Sequence, residues 1–183
     1  MKKLLVVVDY QNDFVDGALG FQGADALDEG IAHLAQSYLA MGDHVLFTFD
    51  THGEDYLNTR EGKALPVPHC IAGSFGAQLY GKTQALCCET CANSQIYTVY
   101  KRTFGMDPQD ALRLRKDLGD VDEIIMAGVV TNMCVIANAV VLQAAFPEAE
   151  ITIDAALCRS FAPELHEKAL DVMEGMQMNV IHR

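Results

Sequence analysis

The apolar positions of this chain fall into two recurring patterns, short continuous runs and longer stretches of helical period, which alternate along its length. Lys3 to Val8 is a continuous Leu/Val run after its lysine and is closed by Asp9, as expected of a central strand covered on both faces. His44 to Phe49, ending at Asp50, predicts a second strand, and Ile96 to Tyr100, running into Lys101, a third. Ile124 to Ala127 predicts a fourth, Glu150 to Ala155 a fifth and Asn179 to His182 a last. Helices are expected over about Ala24 to Ala40, Ala77 to Leu86, Asp107 to Leu118, from the Cys134 region through Ala145, and Ala162 to Met176. Met41-Gly-Asp is a stop signal, and Asp107-Pro108 sets a capping residue before a proline at the first helical position.

Strands alternating with helices imply an α/β fold, a single three-layer, doubly wound domain over residues 1–183 with a parallel sheet and right-handed crossovers. Two segments escape the patterns. Tyr10 to Gly23 is turn-rich, and from Thr51 to about Gly73 nothing is periodic. An irregular stretch of that length inside a compact domain is usually a functional loop.

Composition narrows the function classes. Among 183 residues half are apolar, Trp is absent and the formal net charge is −12, which argues against a nucleic-acid partner. Met1-Lys-Lys and the apolar run after it stop at Asp9 with no small-residue cleavage site, and no other stretch is long and uncharged enough to cross a bilayer. The chain therefore reads as a cytoplasmic protein without membrane contact, its six cysteines reduced. Cys88-Glu-Thr-Cys91 has redox or half-zinc spacing, but no second pair completes a zinc set, so Cys87, Cys88 and Cys91 read as a thiol-rich loop.

The candidate chemistry centres on Gly128 to Cys134. Gly128 breaks the fourth strand, Thr131 and Asn132 are expected helix caps, and Cys134 falls in the first helical turn, where unpaired N–H groups and the helix dipole favour a thiolate. A cysteine there can equally be a small core residue. Asp9, Asp50 and Lys101 change the balance, because each ends a strand, and ligands of open parallel sheets bind at the carboxyl ends of strands. Together they permit acyl transfer: Lys101 lowers the thiol pKa, Asp9 accepts the thiol proton, Cys134 attacks an amide carbonyl, and the Val130 and Cys134 backbone N–H groups hold the oxyanion.

Val8-Asp9-Tyr-Gln-Asn-Asp-Phe14, Lys101-Arg-Thr-Phe and Ala127-Gly-Val-Val-Thr-Asn-Met-Cys134 resemble, in order and over essentially the whole chain, the isochorismatase-like cysteine hydrolases. That resemblance implies a six-stranded parallel sheet, a triad of Asp9, Lys101 and Cys134, a cis peptide at Val129–Val130, and a homo-oligomer, dimer or tetramer. Isochorismate hydrolysis itself is disfavoured, because enzymes of that activity lack the catalytic cysteine.

The irregular loop separates the branches. Asp50 and His52 lie two residues apart at a strand end, and Glu61 and His69 can fold back to complete a metal site; spacing alone leaves open a polar loop with unrelated histidines. Asp-x-His followed by Pro-x-Pro-His-Cys resembles the nicotinamidase branch, where a divalent metal holds the pyridine nitrogen. A second histidine often found after Asp-x-His is missing here, which makes Glu61 the candidate replacement ligand, with Glu54 and Asp55 as alternatives. Zinc is the first choice of metal, manganese or iron the others. Phe14 matches the family's ring-packing aromatic; Phe21, Phe75, Tyr100 and Phe104 are candidates for the second wall. The implied reaction is hydrolysis of nicotinamide or a close small heteroaromatic amide through a Cys134 thioester. The competing readings are metal-free hydrolysis of a carbamoyl or ureido group and a nonenzymatic binding protein.

Overall fold

The structure is a computed structural model that describes residues 1–89 and 94–183. The side chains of Cys88 and Cys91, whose spacing the sequence singles out, lie outside that description. Six strands, β1 (Lys3–Val8), β2 (His44–Asp50), β3 (Ile96–Lys101), β4 (Glu123–Val129), β5 (Glu150–Arg159) and β6 (Asn179–Ile181), form one parallel sheet in the order β3-β2-β1-β4-β5-β6. The helices are α1 (Asn12–Val15), α2 (Asp28–Ala40), α3 (Arg60–Ala64), α4 (Gly81–Glu89), α5 (Pro108–Leu118), α6 (Ile136–Ala145) and α7 (Pro163–Gly175).

The continuous apolar runs are central strands whose alternate side chains serve two cores. Leu4, Val6 and Val8 of β1 pack with Leu114, Leu142 and Leu170 of α5, α6 and α7 on one face. Leu5 and Val7 pack with Ile31, Ala35 and Tyr38 of α2 and Leu86 of α4 on the other. This is the doubly wound, three-layer arrangement that alternating strands and helices demand. Among the described residues no helix is long and apolar enough to cross a membrane.

Local signals explain most boundaries. Asp107 caps α5 by accepting from the Gln109 N–H at 2.8 Å, with Pro108 in the first turn. Asp28 caps a helix other than its own: its carboxylate accepts from the backbone N–H groups of Lys82 and Thr83 at the start of α4. The expected start at Ala24 moves to Asp28, because Asp25–Leu27 winds as a 3-10 turn before α2. Strand β5 runs four residues past the expected Ala155, since beyond a bulge its Cys158 and Arg159 pair with Gly128 and Val129. The aperiodic loop contains a 3-10 turn at Tyr56–Asn58 and the single-turn-scale α3, both too short to print a helical period.

The register brings the chemistry together. Val8 pairs with Thr48 on one side and Gly128 on the other, so Asp9 emerges between β2 and β4. Asp50 pairs with Lys101 across β2 and β3.

Candidate active site

Asp9 leaves β1 with a left-handed backbone (φ 45°), a conformation Asp tolerates better than most residues. Its Oδ1 accepts from the Thr48 hydroxyl at 2.6 Å. Lys101 reaches from the edge strand across β2 and places Nζ 2.6 Å from Asp9 Oδ2, 3.7 Å from Asp50 Oδ1 and 3.7 Å from Cys134 Sγ. Nζ also donates to the Thr103 carbonyl at 3.0 Å. Asp9, Lys101 and Cys134 are all buried.

Burial sets their protonation, and the neighbours divide it. Burial raises the Asp9 pKa, against the lowering influence of the Lys101 charge. Burial works against the Lys101 charge, but Asp9, Cys134 and Asp50 outweigh it and keep the ammonium protonated. The Cys134 thiol is pushed well above its ordinary range by burial first and by the Asp9 charge second; Lys101 lowers it without reversing the shift. The helix end and Lys101, which the sequence shows as favouring a thiolate, are therefore not the dominant influences on this thiol. Desolvation outweighs both, and the Asp9 carboxylate is the acceptor beside the Lys101–Cys134 pair.

The turn carrying Cys134 also departs from expectation. The Val129–Val130 peptide is cis, and Thr131–Val135 winds as a π-helical turn before α6. Thr131 and Asn132 do not cap it. The Thr131 hydroxyl bonds His166 Nδ1 of α7 at 2.8 Å, and Asn132 Oδ1 accepts from the Ser160 hydroxyl at 2.6 Å. Both side chains are drawn to partners beyond the turn, and these tie it to β5 and α7. From within α6, buried Asn138 donates to the carbonyls of Cys134 (2.7 Å) and Phe104 (3.0 Å) and accepts from the Met106 N–H (2.9 Å). It locks the cysteine turn to the loop that follows Lys101.

The metal-type residues converge as well. One ligand atom from each of Asp50, His52, Glu61 and His69 lies within 4.8 Å of the others. His52 Nε2 is 3.0 Å and His69 Nε2 3.3 Å from Asp50 Oδ2, and His52 Nε2 is 3.8 Å from Glu61 Oε1. His69 Nδ1 faces the Val67 carbonyl at 2.8 Å, which leaves Nε2 directed into the cluster, as histidine ligands require. Gln11 brackets the Asp50 backbone, accepting from its N–H at 2.8 Å and donating to its carbonyl at 2.9 Å. Burial opposes the charge of Asp50, but the hydrogen bonds from His52 and His69 and the Lys101 charge outweigh it and hold the carboxyl below the carboxylate range. Two imidazoles and two carboxylates form a donor set suited to zinc, manganese or iron. Glu54 and Asp55 stand outside the set, and Glu61, supplied by α3, is within it.

A cavity of about 600 Å³ joins the two clusters, with Cys134 and Val130 on one side and Asp50, Glu61 and His69 on another. Phe14 lines it with its ring edge-on to His69 at 5.5 Å. Phe21 and Phe104 line it too, whereas Phe75 is 72% and Tyr100 64% exposed, and Tyr100 stacks on Phe49 away from this cavity. Phe161, absent from the candidates, completes the apolar wall and meets Phe21 edge-on. It stands two residues past the end of β5, whose run beyond the expected Ala155 the sequence pattern does not mark.

Known proteins resemble the chain over nearly its whole length. The Isochorismatase domain model matches residues 3–183. The isochorismatase family protein PncA of Bacillus subtilis (strain 168) is 34% identical over 144 residues, 76% of this chain and 78% of that protein. The nicotinamidase/pyrazinamidase of Mycobacterium tuberculosis (strain ATCC 25618 / H37Rv) is 31% identical over 141 residues, 73% of this chain and 74% of that protein. The crystal structure of the nicotinamidase/pyrazinamidase PncA from Bacillus subtilis superposes with a TM-score of 0.85 at 30% identity, covering 98% of this chain and 99% of that one.

Proposed function

Because this chain belongs to the isochorismatase family, we propose that it is a nicotinamidase-type cysteine amidohydrolase, converting nicotinamide or a close heteroaromatic amide and water to the carboxylate and ammonia. The observation that carries this reading is the single cavity onto which Cys134, Asp50, Glu61, His69 and Phe14 all open. Its relatives of 30% identity and above include a named nicotinamidase/pyrazinamidase, which supports an amide as substrate.

In this mechanism the Cys134 proton passes to Asp9, and Lys101, 3.7 Å from the sulfur, stabilises the thiolate as it forms. The thiolate adds to the carboxamide carbon, and the Val130 and Cys134 N–H groups receive the developing oxyanion. Asp9 returns the proton to the departing nitrogen, ammonia leaves, and a thioester remains. Water then gives a proton to Asp9 and attacks the thioester, releasing the carboxylate and restoring the thiol. A divalent ion held by Asp50, His52, Glu61 and His69 would bind a ring nitrogen and orient the carboxamide toward Cys134. Phe14 and the facing phenylalanines suit a flat ring.

Cytoplasmic location, one domain over residues 1–183 and assembly as a dimer or tetramer belong to the same reading; buried Cys70, Cys134 and Cys158 are free thiols. The test is ammonia release from nicotinamide. Wild type turns it over, Cys134→Ala loses roughly 10³-fold or more, and chelation removes activity that added zinc, manganese or iron restores. Turnover by Cys134→Ala sinks the mechanism; turnover that survives chelation sinks the metal's part in it.

A further inference from the structure

A second cavity, of about 250 Å³, shares only Glu61 with the substrate cavity. Its walls include the metal-type residues His52 and Glu61, together with Asp55, Arg60, Arg102 and Thr103. Arg60 opens α3 and Arg102 follows Lys101 just past β3, so two arginines from separate parts of the fold line one space. Among the described residues neither forms an ion pair, whereas Arg113, Arg115 and Arg183 each hold a carboxylate.

In a chain of net charge −12, the two arginines on this small cavity balance the two carboxylates on the same walls, Asp55 and Glu61. Asp55 is the one carboxylate on these walls outside the metal-type set. With Asp50 and Glu61 answered by a divalent ion, as in the function proposed above, the walls carry two positive charges against one negative. The Thr103 hydroxyl donates to the Gly105 carbonyl at 2.8 Å, which leaves the guanidinium N–H groups as the side-chain donors for an acceptor-rich ligand.

We propose that this cavity binds a small tetrahedral oxyanion of phosphate type, held between Arg60 and Arg102 against the outer side of the His52 and Glu61 pair. The site is distinct from the amide pocket. Through Arg102 and Thr103 it adjoins Lys101, whose ammonium donates to the Thr103 carbonyl at 3.0 Å.

The test is calorimetric titration of inorganic phosphate into the purified metal-containing protein, with ionic strength held constant by sodium chloride so that general screening cancels. The expected result is one saturable site per chain, weakened about tenfold or more by Arg60→Gln or by Arg102→Gln and lost in the double variant. Saturable binding of unchanged affinity in the double variant would put phosphate on the metal itself and overturn the proposal, as would no saturable binding by the wild type. Nicotinamide turnover without a phosphate site refutes this inference alone; a phosphate site without nicotinamide turnover refutes the assigned substrate alone.

Discussion

At Cys134 the burial of the thiol and the charge and hydrogen bond of Asp9 raise the pKa, while Lys101 lowers it, so removing the Asp9 charge shifts the balance toward thiolate. Asp9→Asn is therefore expected to separate reactivity from catalysis. Alkylation by iodoacetamide follows the thiolate, so its pH midpoint moves to lower pH in the variant and Cys134 is labelled faster near neutrality. Amide hydrolysis nevertheless falls by roughly 10² to 10⁴, because no group remains to return the proton to the leaving nitrogen. A midpoint that stays or rises would mean that Asp9 does not hold the thiol proton. Asp9, Lys101 and Cys134 were legible because each ends a strand or opens a helix within a recognisable motif. Thr48, Gln11 and Asn138 were not, since Thr48 and Gln11 act on partners 39 residues away and Asn138 bonds a loop 32 to 34 residues away. Thr131 and Asn132 were misread for the same reason: local chemistry marks them as caps, and tertiary partners claim their side chains.

Among the elements, the pairing of β1 with β4 sets how closely Cys134 approaches Asp9, and Gly128 makes that pairing fit. A Cβ there would lie 2.2 Å from the Val8 carbonyl oxygen, and its φ of +122° is a conformation that L side chains rarely adopt. Gly128→Ala is expected to cost roughly 3 kcal/mol or more and to lower Tm by about 6 to 12 °C for a chain of this size. Gly175→Ala at the end of α7, where a Cβ meets nothing within 4 Å, serves as the control and should change stability by less than about 1 kcal/mol. Equal melting curves for the two variants would show that β1 and β4 adjust freely at this point. The strands and long helices could be located in the sequence because burial on one or two faces prints a period. The extension of β5 and the short α3 could not: the first lies beyond a bulge in β5 and resumes pairing with Gly128 and Val129, and the second spans too few residues to repeat.

For the whole molecule, the order β3-β2-β1-β4-β5-β6 brings a lysine from an edge strand, an aspartate from a central one and a cysteine from the next crossover to one end of the sheet. The fold class followed from alternation alone, and the end of the sheet that carries the chemistry followed from it. The cavity's third aromatic wall and the arginine-lined cleft beside it depend on how loops fold over that end, which no periodicity records. The central claim is that these parts form one amide-hydrolysing machine with Cys134 as its nucleophile. Its most direct test is the intact mass of the metal-loaded protein, acid-quenched during turnover of nicotinamide. The account predicts a population heavier by one nicotinoyl group, carried on the peptide containing Cys134 and absent from Cys134→Ala. Steady release of ammonia with no acyl group on that peptide, or an acyl group on another residue, would contradict it.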